Sequence, residues 1–195
     1  VAPHFPLIVP EEFYGLYDQL DLMPKKPREN PEHTWHQAMR SCQIMDNFTP
    51  EKTRVALASY YGLVTFIDDL IGKILETIDK NNLNKTTQVF YLSDHGDNIG
   101  ERDFWGKSNF FEESVGIPCI IKGPTIPAGK VCKTPVSLID IYPTILKNAG
   151  VEIKSKPGTS LNDIANAHDN LERLIFSEYH AMGAKSGAFM IRKGH

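Results

Sequence analysis

The run from Val89 to Leu92 is apolar and ends in Ser93-Asp94-His95-Gly96, and a lone lysine, Lys107, follows in a Trp-Gly-Lys turn. An ionised aspartate offers hard oxygen to a divalent cation, and a neutral imidazole adds a nitrogen ligand. Gly96 permits a tight turn that a side chain would obstruct. Lys107 lies thirteen positions beyond Asp94, between Gly106 and Ser108. An ammonium in such a loop is a compact charge with three donors, suited to an anion. Together, a cation and a lysine hold a tetrahedral oxyanion such as sulfate or phosphate. The spacing alone is equally that of a plain polar turn, and it leaves both readings open. Asp97, Glu101 and Asp103 read as solvated or capping carboxylates in the same loop.

Ligands of open α/β sheets bind beyond the carboxyl ends of the strands, which is where Asp94 and His95 fall. Gln88 to Leu92 reads as a short buried strand, and Ile117 to Lys122 as a second, stopped by Gly123-Pro124. Between the N-terminal third and these strands, Thr49-Pro50-Glu51 opens a helix with an N-cap, a first-turn proline and an acid. That helix is expected to run to about Lys80 on an apolar stripe of Tyr61, Val64, Ile71, Leu75 and Ile78, with Asp68 on the same stripe. Asp140 is placed to cap a helix over Ile141 to Asn148, with Gly150 as its stop. Leu174 to Ser177 and Ala188 to Arg192 read as later strands. Residues 1–32 are proline-rich and read as an extended segment with one short helix near Glu11 to Leu20. The alternation of strand and helix predicts an α/β fold with a largely parallel sheet.

Composition sets further bounds. The net charge is -3 and there is no basic run, which argues against nucleic acid or an anionic membrane as the main partner. No run approaches the roughly 18 consecutive apolar residues of a membrane span. Cys42, Cys119 and Cys132 are odd in number and form no Cys-x-x-Cys pair, so neither a disulfide framework nor a thiolate zinc site is expected. Sequons at Asn47 and Asn84 are short enough to arise by chance. His33 and His36 are three apart and read as part of a loop or helix face in preference to a metal pair. The compartment stays open between cytoplasm and a periplasmic or secreted location.

Three stretches, "YYGLVTFIDDLIGKIL", "VFYLSDHGDNIGERDFWGKSNFFEESVGIPCIIKGP" and "TPVSLIDIYPTILKNAGV", resemble in order and spacing the later half of the sulfatase catalytic domain, in the alkaline phosphatase superfamily. The "SDHG…GK…EES…IP" form resembles choline-sulfatase-like and phosphonate monoester hydrolase-like members more than arylsulfatases with Asp-Asn-Gly. The resemblance implies an alkaline phosphatase-like α/β fold, with a mixed, mostly parallel sheet flanked by helices, present here as a partial domain. Residues 1–150 would be the C-terminal portion of the catalytic domain. Residues 151–195 would be a connector and the start of an incomplete C-terminal subdomain.

Residue by residue, the resemblance implies that Asp94 and His95 are metal ligands, with calcium as the expected ion and manganese as the alternative. Lys107 would contact the sulfate and its bridging oxygen. His4, in "APHFPL", would stand near the leaving-group oxygen. The implied activity is sulfate-ester hydrolysis on a small-molecule or carbohydrate substrate, by a formylglycine nucleophile with metal assistance. The nucleophile motif, Cys/Ser-x-Pro/Ala-x-Arg, is absent from these residues, as is the family's earlier Asp-Asp metal motif. The chain is therefore expected to be inactive alone, to bind metal weakly, and to expose apolar surface through which it could oligomerise. The alternatives are a phosphonate or phosphate ester hydrolase of the same superfamily and a non-catalytic scaffold module.

Overall fold

A computed structural model describes residues 2–43, 48–152, 155–181 and 183–194; the sequon residue Asn47 lies outside them. The chain forms two interleaved compact units. One comprises Val1–Leu83, His95–Ile117 and Ala181–Ser186; the other comprises Asn84–Asp94, Pro118–His180 and Gly187–His195.

The first unit is helical, with α1 (Glu11–Tyr14), α2 (Thr34–Arg40), α3 (Pro50–Lys80) and α4 (Glu112–Val115). Helix α3 begins as its sequence predicts. The Thr49 hydroxyl accepts from the Lys52 backbone N–H at 3.3 Å, and Pro50 occupies the first turn, where its missing N–H costs nothing. Its buried face is Thr53, Leu57, Ala58, Ser59, Gly62 and Leu63. This corrects the first half of the expected stripe, since Tyr61 and Val64 are exposed, while Ile71, Leu75 and Ile78 are half-buried among exposed neighbours. The face is decided by what packs on it. A Cβ at Gly62 would stand 2.9 Å from the Phe13 carbonyl oxygen, so only glycine lets the α1 segment come so close. Phe13 meets Phe66 edge-on at 5.3 Å between ring centres, and the Tyr17 and Thr65 hydroxyls hydrogen-bond at 2.7 Å. Helix α1 is only four residues long, shorter than the Glu11 to Leu20 expected. By length and composition, α3 could also cross a bilayer; its contacts with α1 make it a packing helix of this unit.

The second unit contains β1 (Val89–Leu92), β2 (Cys119–Lys122), α5 (Ile141–Asn148), α6 (Leu161–Asn166), β3 (Leu174–Tyr179) and β4 (Ala188–Lys193). Strand β1 pairs antiparallel with β2, Val89 opposite Lys122 and Leu92 opposite Cys119. Strand β3 pairs antiparallel with β4, Leu174 opposite Lys193 and Tyr179 opposite Ala188. The chain is thus a mixed helix–strand, partial α/β domain, as the alternation of elements implies. Its four strands form two antiparallel pairs, so the mostly parallel sheet is not assembled from the described residues alone.

Asp140 is fully buried and sits at the start of α5, but its carboxylate does not cap that helix. It accepts from Ser137 N at 2.9 Å, Thr159 N at 2.8 Å and the Arg173 guanidinium at 2.6 Å. A buried charge persists when its lone pairs are filled in this way. Thr144 extends the network, donating to the Asp140 carbonyl and accepting from Leu161 N. That second bond ties α6 to α5.

Candidate active site

His4, His95 and Lys107 all belong to the first unit, and the fold brings them together. The Lys107 ammonium lies 2.8 Å from His4 Nε2. His4 Nδ1 lies 2.8 Å from the Phe5 carbonyl oxygen. A carbonyl only accepts, so Nδ1 carries the proton, and Nε2 presents its lone pair to the Lys107 donor. The His4 and His95 rings meet edge-on, 5.6 Å between centres. His95 Nδ1 is held 2.8 Å from the Gly96 carbonyl oxygen. By the same logic, its lone pair is on Nε2, the form in which imidazole ligates a metal. Asp94 is exposed and closes a segment of the second unit; the chain changes unit at the Asp94–His95 peptide bond.

The loop carrying Lys107 is built by local backbone capture. Asp97 Oδ1 accepts from Ile99 N at 2.8 Å and Gly106 N at 2.9 Å. Asn98, fully buried, gives its side-chain amide to the Gly106 carbonyl at 2.5 Å. Gly106 itself has φ +71°, a conformation that glycine takes without strain. Ile99, Arg102 and Asp103 also have positive φ, so the segment just before Lys107 is held in a shape its residues do not prefer.

What imposes that shape is a clamp from outside the loop. The Glu101 carboxylate accepts the backbone N–H groups of Lys25 and Lys26. Arg28 pairs with Asp103 at 2.7 Å. Asp97 and Glu101 therefore cap backbone N–H groups, as expected from sequence, while Asp103 is an exposed ion-pair partner. Gln43 grips the Trp105 backbone at both ends, donating to its carbonyl and accepting from its N–H. Glu113 bridges Lys26 and Arg102. Burial would raise the Glu113 carboxyl pKa, but the Lys26 and Arg102 cations outweigh it and hold the group below its ordinary value.

The histidine pair forms part of the same unit. His33 caps α2, its Nδ1 accepting from Trp35 N at 3.1 Å. His36 packs its ring on Phe111, 4.3 Å between centres. Burial pushes the His36 pKa down, opposed by Glu29 at 3.4 Å, a separation long for a hydrogen bond.

The residues that hold the loop, Ser114, Glu113, Arg102 and Lys26, were not singled out from sequence. The only sequence signal for them is the Glu-Glu-Ser run beginning at Glu112. Among the described residues, no group of three or more His, Cys, Asp or Glu side chains could hold a metal ion.

A family model described as Sulfatase matches residues 1–151. Choline-sulfatase of Rhizobium meliloti (strain 1021) is 30% identical over 201 residues, covering 98% of this chain and 39% of that protein. Arylsulfatase K of Danio rerio is 35% identical over 153 residues, covering 75% of this chain and 29% of that protein. In three dimensions, the phosphonate monoester hydrolase SpPMH from Silicibacter pomeroyi superposes with a TM-score of 0.79 at 28% identity, covering 90% of this chain and 38% of that one. The fold is that of the alkaline phosphatase-like hydrolases. Within that class, this chain belongs to the sulfatase family. It spans about two fifths of the length of the choline-sulfatase it matches.

Proposed function

We propose that the intact protein hydrolyses sulfate esters, with Lys107 and His4 serving the departing oxygen. The observation that carries this reading is the 2.8 Å contact between Lys107 Nζ and His4 Nε2, with the His4 tautomer set by Phe5. One residue of the pair carries three donors. The other is a neutral imidazole able to take or return a proton at Nε2. Charge develops on the bridging and non-bridging oxygens as a sulfuryl group is transferred, and a fixed ammonium beside them stabilises it. Domain limits follow the same reading, residues 1–150 being catalytic-domain sequence and 151–195 a connector and incomplete subdomain.

Asp94 and His95 would give one oxygen and one nitrogen to a divalent cation, calcium or in its place manganese. That ion would polarise a sulfuryl oxygen when bound. The rest of its shell, and a formylglycine nucleophile, would come from outside these 195 residues, which contain no Cys/Ser-x-Pro/Ala-x-Arg motif. The isolated chain would then be inactive. The likeness to the phosphonate monoester hydrolase favours a second reading, in which an aryl phosphonate is the better substrate.

The test is to assay the intact protein on a chromogenic aryl sulfate and an aryl phosphonate, beside Lys107→Ala. Sulfate release that falls by about a hundredfold or more in the variant is expected. Faster phosphonate turnover would move the protein to the second reading. No turnover of either ester would overturn both.

A further inference from the structure

We infer that Ser114 is a positioning residue for the site, joining the His95 turn to the Lys107 turn through its backbone carbonyl on one side and its buried hydroxyl on the other. This rests on the hydrolytic reading above. Ser114 is 2% exposed, and its three polar groups are all engaged. Its N–H donates to the Phe111 carbonyl at 2.8 Å, which starts α4. Its carbonyl accepts from Gly96 N at 2.8 Å. Its hydroxyl donates to the Lys107 carbonyl.

Those bonds continue to the side chains above them. The peptide whose N–H Ser114 receives belongs to Gly96, and the Gly96 carbonyl in turn holds His95 Nδ1. The carbonyl that the Ser114 hydroxyl holds belongs to Lys107, whose ammonium meets His4. One residue of α4 thus helps to set the separation between the His95 imidazole and the Lys107 ammonium. Asp97 and Asn98 tie the same two turns from within the loop, through Gly106; Ser114 ties them from α4, where the Glu113 carbonyl oxygen stands at the place a Cβ on Gly96 would need. The Lys107 carbonyl also accepts from Asn109 N at 2.7 Å. Loss of the hydroxyl therefore loosens the turn without leaving that carbonyl unpaired, and Ser114→Ala should fold.

The experiment compares the intact parent with Ser114→Ala, Ser114→Thr and Ser59→Ala on the aryl sulfate. Ser59 is the control: it is buried in the same unit and donates to the Val55 carbonyl at 2.8 Å, within α3. Ser114→Ala is expected to lower kcat by about tenfold to a hundredfold with little change in KM, the signature of misplaced catalytic groups. Ser114→Thr, which keeps the hydroxyl, should recover most of the loss. Ser59→Ala should keep the parental kcat. A parental kcat in Ser114→Ala overturns the inference, as does an equal loss in Ser59→Ala or no recovery in Ser114→Thr. If the parent hydrolyses neither ester, the hydrolytic reading has failed, and binding of inorganic sulfate by calorimetry decides the positioning. Weakening by both Lys107→Ala and Ser114→Ala would then support it. Parental binding in Ser114→Ala, or no binding by the parent, would overturn it.

Discussion

Gly96 lacks a side chain because the backbone of Glu113 stands where one would be. An added Cβ would lie 2.1 Å from the Glu113 carbonyl oxygen, a distance no relaxed structure accommodates. Gly96→Ala is therefore expected to destabilise the protein by about 1–3 kcal/mol, as overpacking does, read as a lower denaturant midpoint at constant slope. An unchanged midpoint would mean that α4 can retreat freely. The sequence indicated a turn at Asp-His-Gly, but not the reason for the glycine, because the obstructing carbonyl belongs to a residue seventeen positions on. The same distance problem hid Ser114 and misassigned Asp140, whose partners Thr159 and Arg173 come from remote stretches. His4 shows the reverse case. As a lone loop histidine it carried no signal; the family resemblance implied a place near the leaving-group oxygen, and the fold sets it beside Lys107.

At the scale of elements, legibility tracked how local the cause was. Thr49-Pro50-Glu51 declares a helix start within three residues, and α3 begins there. Strands β3 and β4 were readable as short apolar runs, though not their pairing or full lengths. Helices α2 and α6, seven and six residues long, were not, because so short a run carries little periodicity and owes its form to packing. The buried stripe of α3 was misread at Tyr61 and Val64 because the helix is apolar there on more than one side, and the approach of Phe13 to Gly62 selects the face. Thr49→Ala should cost about 1 kcal/mol, the usual value of an N-cap. The check is thermal or chemical unfolding followed by helix circular dichroism. No change would mean that Pro50 and the α1 contacts fix the start of α3 without the cap.

Across the whole molecule, two partly buried groups, His36 and Glu113, make stability depend on pH in the same sense. Burial lowers the His36 pKa in the folded protein below its ordinary 6.5. The unfolded chain therefore binds this proton more readily, and the stabilising contribution, complete above about pH 6.5, is lost as pH falls through the folded value. For Glu113, burial opposes ionisation, but the Lys26 and Arg102 cations prevail and lower its pKa below the ordinary 4.5. Its contribution is complete above about pH 4.5 and is lost below it. Unfolding free energy is thus expected to decline in two stages on acidification. His36→Gln should flatten the upper stage and Glu113→Gln the lower, each measured by denaturant titration from pH 7 to pH 3. Stability that rises on acidification through either range would contradict the assignments.

The interleaving of the units also bears on how the chain could be divided. Asn82, exposed and with φ +56°, sits in the turn at the end of α3, just before the first change of unit. A nick there separates residues 1–82 from the rest as polypeptides, yet the first unit draws on both pieces. Lys25 and Lys26 with Glu101, Arg28 with Asp103, Gln43 with Trp105 and His4 with Lys107 all cross the break. The two pieces should therefore behave as a split-protein pair. They would migrate together on a native gel and part only in denaturant, and separately expressed halves would reconstitute the site on mixing.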